Sequence, residues 1–179
     1  MSFHKHQIEL QQSISLPLLP NFSLQGTFRA GILKHVGNSP NYIMDRFFIG
    51  GPLNIRGFRT YQIGPQSSGN FLGATTFWTS GLHLYTPLPF MPKDSLFHEY
   101  MRTHSFITAG NIGNFSFTGD HYKNLQILQS CCRISAGFGL VISLHEMARL
   151  ELHYALPIAF QPGDKPEKGF QMGIGVEFV

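Results

Sequence analysis

Arg56 is the charged side chain whose setting is hardest to read as solvated surface. It lies in Gly50-Gly51-Pro52-Leu53-Asn54-Ile55-Arg56-Gly57-Phe58, near Phe47, Phe48, Ile49 and Tyr61, and directly precedes a glycine that lets the backbone turn sharply or approach another surface. The irregular stretch carrying it, from about Gly37 to Asn70, is too apolar for a solvated tail and must pack against something. Ordered loops of that length inside compact domains are usually functional. Other chemically suggestive groupings carry less. His83, His104 and His153 fall on separate strands without the spacing of a zinc site, so no metal is expected. Ser143-Leu144-His145-Glu146 has the types of a nucleophile and a base, but it falls in a tight turn with no elbow motif. Gly137-Phe138-Gly139 lacks the helix and phosphate geometry of a dinucleotide loop. Neither an enzyme nor a cofactor is expected.

The elements that must position Arg56 are strands. Ile8, Leu10, Ile14 and Leu16 alternate with Gln7, Glu9, Gln11, Ser13 and Ser15, which predicts a strand from His6 to Leu18. Pro17 and Pro20-Asn21 turn the chain into an antiparallel second strand, Asn21 to Val36. After the long loop a third strand is predicted over Phe71 to Thr86, with Leu82 and Leu84 opposing His83 and Tyr85, and a fourth over Arg102 to Ile112. The stretch from Gly113 to Ser130 reads as a loop with a helical turn near Lys123 to Leu128. Three clean alternations close the chain: Cys132 to Ser143, Arg149 to Leu156, and Phe170 to Phe178. In the second, Glu151 lies on the polar face between Arg149 and His153.

Alternation alone does not say whether the apolar face meets lipid or a core. Composition favours lipid. Charged residues are 13% of the 179, about half the usual share of soluble domains, while Gly (19) and Phe (17) are abundant. Strands of about ten residues, glycine-and-charge faces suited to a wet lumen, and short turns alternating with long loops fit a transmembrane barrel. No apolar run approaches the roughly 18 to 20 residues of a spanning helix, and Met1-Ser2-Phe3-His4-Lys5-His6 does not open a secretory signal. The net charge of +3 comes from scattered basic residues, so no nucleic-acid partner is expected. Cys131 and Cys132, adjacent in a strand, would point to opposite faces as unpaired thiols.

On these residues the chain resembles a known family. Ile55-Arg56-Gly57-Phe58 is similar to the signature of the bacterial and organellar outer-membrane assembly barrels, whose sixth external loop folds into the lumen and anchors there through its arginine. Asp45-Arg46-Phe47-Phe48-Ile49-Gly50-Gly51 and Gly81-Leu82-His83-Leu84-Tyr85-Thr86-Pro87-Leu88-Pro89-Phe90 resemble more closely the mitochondrial branch, the barrel subunits of the sorting and assembly machinery. The resemblance implies an all-β antiparallel transmembrane barrel in the mitochondrial outer membrane, sixteen-stranded in the family, that folds and inserts barrel precursors. Its implied partners are outer-membrane lipid, β-barrel precursors and the other subunits of that machinery. Against that pattern the chain is expected to be the C-terminal part alone: residues 1–179 as an incomplete barrel of about seven strands with an inward-folded loop, without the polypeptide-transport-associated domain or roughly the first nine strands.

In bacterial relatives acidic residues on neighbouring strands receive the arginine, but the corresponding positions here are His83 and Thr108. Glu151 is the residue expected to take that role, gripping the guanidinium in bidentate fashion. The alternative is that Glu151 simply pairs with Arg149 or His153 across a wet lumen. Gln171-x-Gly173-Ile174-x-Val176-x-Phe178 resembles the sorting signal in the last strand of mitochondrial barrels, a stripe readable by edge pairing. The family's last strand closes weakly on the first, and Gly173 and Gly175 would either help such a seam yield or merely allow curvature. The competing function classes are a passive transport pore or a soluble ligand-holding barrel in which the loop is only a plug, and a truncated product without function.

Overall fold

The computed structural model describes residues 3–17, 19, 21–35, 42–89, 100–114, 132–144 and 148–176. Two long strands, β1 (Phe3–Ser15) and β2 (Ser23–His35), precede the loop that carries Arg56. Within the loop lie a turn of 3-10 helix at Ile43–Asp45 and a short ladder between β3 (Gln66–Ser67) and β4 (Asn70–Phe71). Then follow β5 (Thr76–Pro87), β6 (Met101–Gly113), β7 (Arg133–Leu144), β8 (Ala148–Ala159) and β9 (Gly169–Val176). Seven strands form one antiparallel sheet in the order β1-β2-β5-β6-β7-β8-β9. Apart from the loop ladder, every neighbour is the next strand in the chain, the up-and-down connectivity that short turns allow. β1 and β9 stand at opposite ends, so the sheet is unclosed.

The third strand begins at Thr76 rather than Phe71, because the residues before it bond elsewhere. Phe47 and Ala74 exchange both backbone hydrogen bonds, at 2.9 and 3.0 Å, and Phe71 pairs with Gln66 in the loop ladder. The first strand likewise starts at Phe3 and ends at Ser15, short of the turn at Pro17. The helical turn expected near Lys123 to Leu128 lies outside the described residues, as does Cys131. Cys132 is half-buried.

The two faces have the polarity of a membrane wall rather than of a soluble sheet. One face carries Ile107, Phe138, Leu152, Phe170 and Ile174 outward, with Ile107 56% and Phe138 63% exposed. A continuous apolar band on that scale is foreign to a monomer in water and suited to hydrocarbon. The opposite face buries Gln25, Thr79, His83, Thr108, Glu151, His153 and Gln171. The apolar cluster sits on this second face. It comprises loop residues Phe47, Ile49, Ile55, Phe58, Ile63 and Ala74 against Leu33, Phe77 and Ile112 of the strands. The loop is thus the packing partner that fills the inner side of the sheet, which explains its apolar content.

Candidate functional site

A tight turn delivers the arginine. Asn54 N–H donates to Gly51 O at 3.1 Å and Gly51 N–H to Ile55 O at 3.2 Å, and Ile55 is fully buried. Arg56 is 4% exposed, and its Nη2 lies 2.6 Å from Oε2 of Glu151, which is fully buried on the inner face of β8. The other carboxylate oxygen, Oε1, lies 2.6 Å from Nη2 of Arg149. The grip on Arg56 is therefore single rather than bidentate. Arg149 stands on the same face two residues earlier and takes the second oxygen, so two of the three partners considered for Glu151, Arg56 and Arg149, meet it at once. His153 Nδ1 is 4.0 Å from Oε2. Arg56 Cζ sits 5.0 Å from the centroid of Phe106, adding a cation–π contact on its flank.

Gly57 and Phe58 bind through the backbone. Gly57 has φ +80°, its N–H donates to Gln171 Oε1 at 2.9 Å, and its carbonyl accepts from Glu167 N–H at 2.8 Å. A Cβ there would lie 3.3 Å from Ser135 Cβ and occupy the left-handed region that disfavours L side chains. Phe58 is fully buried, bridges to Pro166, and its carbonyl accepts from Gln171 Nε2 at 3.4 Å.

Of the terminal-strand residues, Gln171 and Gly173 face inward against the loop, while Ile174 faces outward and is exposed. A Cβ on Gly173 would meet Leu53 at 3.0 Å and Pro52 at 3.3 Å. That glycine makes room for the loop, a reason neither seam weakness nor curvature had supplied. Val176 ends the described part of β9, and Phe178 lies outside the described residues. His83 and Thr108 bond to the wall instead: His83 Nδ1 is 3.0 Å from His104 Nε2, and Thr108 Oγ1 is 2.8 Å from Ser135 Oγ. Phe106 packs between His104 and His153, with ring centroids 5.4 and 5.3 Å away. A cavity of about 300 Å³ beside the loop is lined in part by Arg29, Arg56, Thr79, His83 and Arg149.

The contacts of Gln171 with the Gly57-Phe58 backbone were not anticipated, nor was a buried ion pair of Arg133 with Asp164. Gln171 and Arg133 carry one signal, a polar residue on the loop-facing side of a strand, and Asp164, between β8 and β9, carries none.

The Omp85 superfamily domain model matches residues 1–178. The chain is 44% identical over 179 residues to the sorting and assembly machinery component 50 homolog of Homo sapiens, covering all of this chain and 38% of that protein. It is 33% identical over 180 aligned residues to the sorting assembly machinery 50 kDa subunit of Saccharomyces cerevisiae, covering 98% of this chain and 36% of that protein. The fold matches a crystal structure of BamA from Haemophilus ducreyi lacking POTRA domains 1-3 with a TM-score of 0.79 at 20% identity, over 98% of this chain and 35% of that one. The chain thus spans little more than a third of the length of these relatives. As a homolog of these component 50 proteins, the chain is a protein of the mitochondrial outer membrane. The chain belongs to the Omp85 superfamily, a family of non-enzymatic outer-membrane assembly barrels, as a homolog of the component 50 proteins of the sorting and assembly machinery.

Proposed function

We propose that this chain supplies the inner wall, the arginine loop and one closing edge of a barrel that folds and inserts β-barrel precursors into the mitochondrial outer membrane, working with other subunits of the sorting and assembly machinery. The observation that carries this reading is the Arg56–Glu151 contact. A loop that only plugged a pore could be held by apolar packing alone, whereas this one places a guanidinium on a buried carboxylate of the wall. In this reading Ile55 and Phe58 seat the loop, Arg56 anchors its tip on Glu151, and Gly57 allows the close approach. Gln171, Gly173, Ile174, Val176 and Phe178 form the terminal strand whose lipid-facing stripe and backbone edge face arriving strands.

The test uses mitochondria whose only component 50 protein is a full-length form carrying these residues, and follows assembly of a radiolabelled barrel precursor. Because removing one partner of a buried pair is strongly disruptive, Arg56→Ala is expected to slow assembly at least about tenfold, with the level of the barrel itself unchanged. An unaltered assembly rate at unaltered barrel level would contradict the proposal.

A further inference from the structure

The loop is tethered at a second point that no motif announces. After Phe58 the chain runs beside the connection 160–168 between β8 and β9. Arg59 N–H donates to Lys165 O and Lys165 N–H to Gln62 O, each at 3.1 Å, and Gln66 Nε2 donates to the carbonyl of Gly163. At the centre of this contact is Asp164, whose side chain is 1% exposed. Its Oδ1 accepts from Gly64 N–H at 3.0 Å and from Arg133 Nη2 at 3.1 Å. Its Oδ2 accepts from Arg133 Nε and from Gln161 N–H, each at 2.8 Å.

Arg133 rises from the inner face of β7 and is itself buried, so its fork engages Asp164 with both oxygens. Its Nη1 donates to Oδ1 of Asn111 on β6, which also accepts from Ile112 N–H at 2.8 Å. Paired forks of this kind fix direction as well as distance. The flanking ties at Arg59 and Lys165 are neutral backbone bonds at exposed residues, where water competes. The bond to Gly64 is different in kind, because it ends on a buried carboxylate already locked to the wall.

We propose that Asp164, held by Arg133 and Asn111, is a positioning residue for the arginine loop, fixing its outgoing limb at Gly64 as Glu151 holds its tip at Arg56. Three strands and the 160–168 connection then determine where the tip can stand. The consequence for precursor assembly rests on the function proposed above; the positioning itself does not.

The experiment uses the full-length protein in its own membrane, with Cys131 and Cys132 changed to Ser and with Arg59→Cys and Glu167→Cys. The native side chains at these two exposed positions lie 3.5 Å apart across the loop and the connection. A short bifunctional thiol reagent should join them efficiently. Asp164→Ala is expected to lower the yield of that crosslink about tenfold while folded barrel remains. The double variant Arg133→Gln/Asp164→Asn, which leaves no buried charge unpaired, is expected to lower it as well.

A crosslink yield equal to the parent in both variants overturns the proposal. Failure to recover folded barrel even from the double variant would assign the pair to barrel folding, and overturns it too. Precursor assembly measured in the same membranes separates the two readings. Crosslinking lost with assembly intact supports the positioning role and contradicts the assembly function, whereas loss of both supports both.

Discussion

Glu151 is one carboxylate between two guanidinium groups, so the three members of that cluster are not equivalent. Removing Glu151 leaves the buried Arg56 guanidinium without its carboxylate, beside the like charge of the part-exposed Arg149. Removing Arg149, whose side chain is 31% exposed, leaves a neutral pair behind. Glu151→Gln is therefore expected to destabilise the full-length barrel by about 3 to 5 kcal/mol, and Arg149→Gln by about 1 kcal/mol or less, in urea unfolding from detergent micelles. Equal losses would contradict the asymmetry. Gly57 and Gly69 separate backbone strain from contact, since both have φ +80° but only Gly57 has wall atoms where a Cβ would go. Gly69→Ala should cost about 1 kcal/mol for the left-handed backbone alone, and Gly57→Ala measurably more in the same unfolding experiment. The candidate pair could be read from the residues because Arg56 stands among apolar side chains and Glu151 sits on a polar stripe. The single grip could not, because competition from Arg149 depends on side-chain direction. Arg133 and Asp164 stayed hidden for another reason: they are 31 residues apart, and neither has unusual neighbours.

At the scale of elements, the strands were legible because a half-buried sheet imposes period two, most cleanly in β7, β8 and β9. Strand ends were less so. Residues 71–75 adjoin β5 without a break in the sequence, yet Phe71 pairs with Gln66 and Ala74 with Phe47, a choice made by the loop they belong to. The register of β7 on β8 shifts between Ile134 and Ser135, where Ser135 stands opposite Pro157, which has no N–H to give the ladder. The face assignment makes its own prediction. Ile107 lies midway along β6 on the lipid side, so Ile107→Arg is expected to cost about 2 to 4 kcal/mol and to lower the carbonate-resistant fraction of the full-length protein. Ser80→Arg on the same outward face of β5 replaces a residue that is already polar and exposed, and should be no better tolerated if that face meets lipid. Tolerance of both would mean the face is wet.

At the scale of the whole molecule, the usual inside and outside are exchanged, with polar residues on the inner face and apolar residues outside. The loop takes the place of a second layer. Its apolar side chains form the buried cluster with the wall, and its charged tip is carried past them to Glu151. β1 and β9 remain as edges whose backbone groups lipid cannot satisfy, so the arc needs further strands to complete it in a membrane. Composition and alternation indicated the wall, and the resemblance of the Arg56 segment indicated the inward loop. What neither could show is how many segments hold that loop, because β7, β8, β9 and the 160–168 connection converge on it only after folding. The most direct test of the account is a double-mutant cycle on precursor assembly with Arg56→Ala, Glu151→Ala and the combined variant in the full-length protein. The account predicts that each single change slows assembly and that the combination is hardly slower than the worse single change. Two effects that simply multiply in the combined variant would show that the arginine and the glutamate act separately, and would contradict it.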